Sequence, residues 1–138
     1  MRPELVQIRQ AQQSLHEMSH WLQTCPEVSV PDAFHRLMHS AERLFWLEQQ
    51  LMEAYDFPSR QTHLEQHARV LAGLHCVHSA VLKGESEQGR HAGCSLLMDW
   101  LSLHHDTIDA VLAVWVDYCS SGLIDPADWH QRQTIKAH

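Results

Sequence analysis

Helix-breaking residues divide this chain into four long stretches, and that punctuation limits the possible folds more than any other feature. The 138 residues include only five glycines and five prolines, and most of these fall between segments whose apolar residues recur every three or four positions. Such spacing is that of a helix with one buried face. Residues 3 to 24 carry Leu5, Ile8, Leu15, Met18, Trp21 and Leu22 at these intervals, with Pro3 suited to a first helical turn. Two prolines, Pro26 and Pro31, mark a linker, with Ser29 or Asp32 placed to cap the next helix. That second helix is expected to reach about Tyr55, with a broad stripe from Phe34 to Met52. Phe57-Pro58-Ser59 is a turn with Ser59 as N-cap, and a third helix runs from about 60 to 83. Residues 83 to 90 read as a polar loop, and 90 to 120 as a fourth helix with Leu97, Leu101, Leu103, Val111, Leu112, Val114 and Trp115 in its apolar set. The pattern predicts an all-α fold, an antiparallel up-down-up-down four-helix bundle over residues 1–120. A C-terminal tail over 121–138 would contain one short helix near Asp125–Trp129.

Composition narrows the function. The formal charge of −7 argues against nucleic acid or an anionic membrane as partner. Thirteen histidines are unusual, and protonating all of them would carry the charge from −7 to +6. Cys25, Cys76, Cys94 and Cys119 are scattered without a C-x-x-C, as in reduced intracellular thiols. No apolar run follows the first residues and none approaches the ~20 residues of a bilayer span. The expectation is a cytoplasmic protein.

Several polar side chains stand where a bundle core would be. Glu48 interrupts the run Leu44-Phe45-Trp46-Leu47-Glu48. His63 and His67 are four residues apart, so they share one helix face and can reach one ion. His104 and Asp109 lie in the most apolar helix. A buried carboxylate without a partner costs several kcal/mol or takes up a proton, and a cation removes that penalty. Three imidazoles with two carboxylates suit iron, manganese or zinc better than calcium or magnesium. The step from His104 to Asp109 covers about 500° of ordinary helix, so both face inward only if a π-bulge widens the helix there. His105 reads as the solvated neighbour of His104, and Trp46 as an exposed aromatic that could mark a homodimer surface.

These residues resemble the hemerythrins, specifically the bacterial hemerythrin-like proteins, from about Leu44 to Tyr118. The resemblance rests on E-x-x-x-M (Glu48, Met52), Phe57-Pro58, H-x-x-E/Q-H (His63, Gln66, His67) and W-L-x-x-H-x-x-x-x-D (Trp100, Leu101, His104, Asp109). It implies a four-helix bundle around a non-haem di-iron centre that binds oxygen, with Glu48 and Asp109 as bridging carboxylates. His63, His67 and His104 would be the terminal ligands of one iron. The chain departs from the family at both histidines of the second iron, where Gln12 and Leu44 stand instead. His16, one turn beyond Gln12, could supply a substitute.

The resemblance therefore implies an iron-binding protein with an incomplete di-iron site, serving in sensing, storage or handling of iron, oxygen or nitric oxide rather than oxygen transport. One metal, or two with Gln12 or His16 completing the second site, are both open. So is a metal-free bundle serving as an interaction module. With no base or nucleophile outside the ligand set, an enzyme is the weaker expectation.

Overall fold

The computed structural model describes residues 2–121, and every described helix lies in a single all-helical assembly with no strand among the described residues. Helix α1 is Pro3–Thr24, with Pro3 in its first turn and Arg2 extended before it. It ends at Cys25, whose extended backbone is what a following proline imposes. Ile8, Ala11, Leu15, Ser19 and Leu22 are its buried stripe. A 3₁₀ turn, Glu27–Ser29, leads into α2, Val30–Ala54. Neither proposed cap of α2 bonds as a cap. Ser29 occupies the N-cap position without a side-chain hydrogen bond, and Asp32 instead pairs with Arg36 at 3.0 Å.

Helix α2 is the spine of the assembly, with buried residues along its whole length, and it packs on both α1 and α3. The chain then reverses through Asp56, which takes a positive φ of 49°, and the Phe57 N–H returns to the Met52 carbonyl at 2.9 Å. Helix α3, Arg60–Leu82, begins at Ser59, which caps by position and backbone but not by its hydroxyl. Its buried set is sparse: His63, His67, Leu74 and Val81.

The expected polar loop at residues 83–90 is mostly helix. Gly84, at φ +96°, completes the turn after α3, and α4 starts at Ser86. Polarity misled there because Ser86 and Gly89 are buried without being apolar themselves, Gly89 lying close against the side chains of Val81, Phe34 and Val30. Arg90, placed in that loop by its charge, donates to the carbonyls of Leu22, Gln23 and Cys25 at 2.7, 3.0 and 2.8 Å. It satisfies the orphaned end of α1. The fourth rod then runs through α4 (Ser86–His91), a π segment (Ala92–Leu96), α5 (Leu97–His104), a second π segment (His105–Asp109) and α6 (Ala110–Ser120).

One continuous core runs from Ile8 to Val116. Some expected core residues are outside it. Trp21 on α1 is exposed, and so are Leu103, Val111 and Val114, the last three because the final rod is apolar nearly all round and periodicity alone does not choose its face. Trp46 is 55% exposed, as its place beside an inward Glu48 requires. Cys25, Cys76 and Cys94 form no disulfide. No described helix is long and apolar enough to cross a membrane. The short helix expected near Asp125–Trp129 lies outside the described residues.

Candidate metal centre

The polar residues of the core meet at one place. Glu48 points inward from α2 and is 0% exposed. His63 and His67, one turn apart on α3, are both buried, and His104 closes the group from the end of α5. The Nε2–H of His63 donates to Glu48 Oε2 at 2.9 Å, and His67 Nε2 is 2.8 Å from the same oxygen. His104 Nε2 is 3.4 Å from that oxygen and 3.3 Å from His67 Nε2. Ligands ~2.1 Å from an ion at tetrahedral or octahedral angles stand roughly 3.0–3.4 Å apart. The 3.3 and 3.4 Å separations fall in that range, and the 2.8 and 2.9 Å ones are hydrogen-bond lengths just below it.

The second π segment brings Asp109 to the same place. Its Oδ1 is 3.3 Å from His104 Nε2 and 3.8 Å from His63 Nε2. The expected widening between His104 and Asp109 is present and spans His105–Asp109. Asp109 Oδ2 faces the other way, accepting from Gln12 Nε2 at 3.4 Å and standing 3.5 Å from His105 Nε2. Beside it lies a cavity of about 230 Å³ lined by Ile8, Gln12, Glu48, His105, Asp109 and Leu112, with Arg9 also on its wall.

Aromatic rings orient the imidazoles. Phe45 stacks on His67 with centroids 4.0 Å apart and planes within 6°. Trp100 stacks on His104 at 4.4 Å and 16°. Phe45 and Trp100 touch each other edge to face, so the two imidazoles are held by one aromatic group.

Burial alone would raise Glu48, but hydrogen bonds from His104, His63 and His67 reverse this and hold the carboxyl well below its usual range. Burial works against a proton on His104, yet Asp109 and Glu48 outweigh it and raise the imidazole to about 9. Burial pushes Asp109 up to about 7, opposed by His104 and reinforced by the Glu48 charge. Burial lowers His67, with Glu48 opposing. An ionised carboxylate is thus kept inside the core by protons on imidazoles, the role a metal cation would take over. Glu48 Oε1 and Asp109 Oδ1 are buried with no hydrogen-bond partner among the described residues, so the donor set has lone pairs left for an ion.

The remaining sequence candidates separate. Gln12 reaches the site, whereas His16 lies on the exposed face of α1 and is not among the cavity's lining. Leu44 is fully buried one turn before Glu48 and does not line the cavity. Glu17 and His20 are exposed, which leaves their E-x-x-H spacing on the surface. His105, expected in solvent, is only 17% exposed in its side chain and faces Asp109. The signal for it was available: it stands four residues before Asp109, one helical turn on the same face.

The fold and the cluster define a class, an all-helical protein with a buried histidine–carboxylate set spaced for a metal ion. Comparison with known proteins gives the relationship. The chain is similar to a bacteriohemerythrin of Ralstonia nicotianae (strain ATCC BAA-1114 / GMI1000), with 34% identity over 91 residues, a stretch covering 64% of this chain and 62% of that protein. The match thus spans less than two thirds of the relative's length. No protein-family profile matches the chain, and no solved structure is significantly similar to it.

Proposed function

We propose that this chain is a non-haem iron-binding protein on an antiparallel four-helix bundle, with His63, His67, His104, Glu48 and Asp109 as ligands. Its role is in sensing, storage or handling of iron, oxygen or nitric oxide. The observation that carries this reading is the convergence of three Nε2 atoms on one oxygen of a fully buried glutamate. Imidazole with carboxylate suits iron, manganese and zinc, and the relative's name, bacteriohemerythrin, favours iron among them. A bound ion compensates the buried charge and, if iron, adds redox chemistry. The chain's own residues hold the ligands in place: Phe45 and Trp100 fix two imidazoles, and the second π segment turns Asp109 inward.

Gln12 and Leu44, at positions where the family has histidine, weigh against a conventional oxygen carrier. Elemental analysis of the purified protein should find iron that is lost in a His63→Ala, His67→Ala double variant. Absorption spectra under air and under nitrogen then separate an oxo-bridged pair, with near-ultraviolet charge-transfer bands, from a mononuclear site. Protein that carries no metal and melts at the same temperature with and without chelator would overturn the proposal in favour of a metal-free interaction module.

A further inference from the structure

We infer that His35 and His39 on α2 form an exposed two-imidazole chelate for a late first-row divalent cation, copper(II), nickel(II) or zinc(II), separate from the buried cluster. The inference goes beyond the reading above and does not depend on it. His39 stands nine residues before Glu48 on the same helix, roughly 13 Å along its axis. The two places share no ligand.

Position and distance carry the assignment. The histidines are four residues apart on a continuous helix, so their rings lie one turn apart on one face. Their Nε2 atoms are 3.1 Å apart, and the rings meet edge to face with centroids at 4.4 Å. Two nitrogens bound side by side to one ion, each ~2.1 Å from it, stand roughly 3.0–3.4 Å apart. Lone pairs aimed at each other across such a gap repel unless a proton or a cation lies between them. Both residues are exposed, so an ion reaches them directly and keeps water in its remaining positions. Imidazole suits zinc, copper and nickel, and copper binds tightest in the usual order of these ions.

The far side of His39 is furnished as a ligand's is. Glu42 Oε2 lies 3.9 Å from His39 Nδ1, and Glu42 Oε1 lies 3.3 Å from His75 Nε2 on α3. A carboxylate on the Nδ1 side favours the tautomer with its proton there, which leaves the Nε2 lone pair for an ion. His78 serves as a control. Its ring is 5.7 Å from that of His35 but is stacked on Phe34, with planes within 12°.

Titrating the protein as purified with nickel(II) in a non-coordinating buffer tests the chelate. Calorimetry should show an equivalent that His35→Gln and His39→Gln each weaken about tenfold or more, since either change leaves a single imidazole. His78→Gln should change it less than about threefold. Unchanged melting temperatures show that the variants are folded. In proton NMR spectra the ring signals of His35 and His39 should broaden at substoichiometric nickel(II), ahead of those of the exposed His16, His20 and His91. Equal binding by wild type, His35→Gln and His39→Gln would overturn the inference. So would binding lost only in the His63→Ala, His67→Ala double variant, which assigns the nickel to the buried cluster. No nickel binding by wild type also overturns it, and leaves the iron reading of the buried cluster standing.

Discussion

Individual side chains here act mainly by holding other groups still. Phe45 is buried against His67 and Trp100 at once, so its ring controls two imidazoles that the sequence shows only as a spacing. Groups that orient metal ligands typically contribute 10–100-fold in affinity. Phe45→Leu should therefore weaken metal binding about tenfold, measured by competition with a chromogenic chelator, while costing roughly 1–1.5 kcal/mol of stability as a near-volume-conserving change. Arg90 acts on the fold instead. Its guanidinium answers three carbonyls at the end of α1, and Arg90→Met removes all three bonds while keeping most of the apolar stem. Denaturant melts should show a loss of about 1.5–3 kcal/mol, the range for bonds to a charged donor. The ligand candidates were legible because a buried charge among apolar neighbours stands out in sequence. Arg90 was not, because a charged residue between helices looks the same whether it faces water or a helix end 68 residues away.

At the scale of helices, the close approach of the fourth rod to α1 and α2 depends on Gly93. A Cβ there would lie 2.5 Å from Leu22 Cδ2 and 2.6 Å from Leu37 Cδ2, and both leucines are fully buried. Overpacking costs ~1–3 kcal/mol and the better helix propensity of alanine returns at most ~1, so Gly93→Ala should be a net loss on the order of 1 kcal/mol. Gly73, in α3, has nothing within 4 Å of the same added atom, so Gly73→Ala should gain about 0.5–1 kcal/mol. The opposite signs can be read as opposite shifts in melting temperature of a few degrees, and equal shifts would contradict the packing described. Helix limits were readable to within a residue or two wherever proline or a turn cut the pattern, as at Cys25-Pro26 and Phe57-Pro58. The start of the fourth rod was not, because Ser86 and Gly89 are buried without being apolar themselves, Gly89 against the side chains of Val81, Phe34 and Val30. The second π segment was deducible, since two inward residues five apart cannot share a face of a regular helix. The first π segment, at Ala92–Leu96, pairs no ligands and left no such sign.

For the molecule as a whole, histidine content couples stability to pH. His35 and His39 on α2 and His75 and His78 on α3 form an outer group. His35 and His39 Nε2 atoms are 3.1 Å apart, and Glu42 lies 3.3 Å from His75 and 3.9 Å from His39. Burial lowers His78, which stacks on Phe34, and the neighbouring His35 and His75 lower it further. A histidine whose folded pKa is depressed takes its proton first in the unfolded chain. Above the ordinary histidine value of 6.5 both states are neutral and the group contributes nothing; as pH falls through 6.5 the unfolded state gains the proton and stability is lost. His78 should therefore contribute a loss of melting temperature between pH 8 and pH 5.5, so that wild type loses stability relative to His78→Gln across this range. The gap should be small, of order 1 °C, because the imidazole is partly solvated. Comparing the two proteins at each pH cancels the metal cluster, which is unchanged between them. His35→Gln should narrow the gap as well, since it removes one of the charges that oppose the proton on His78, and a His35→Gln melting curve parallel to wild type across this range would place the acid sensitivity elsewhere in the molecule.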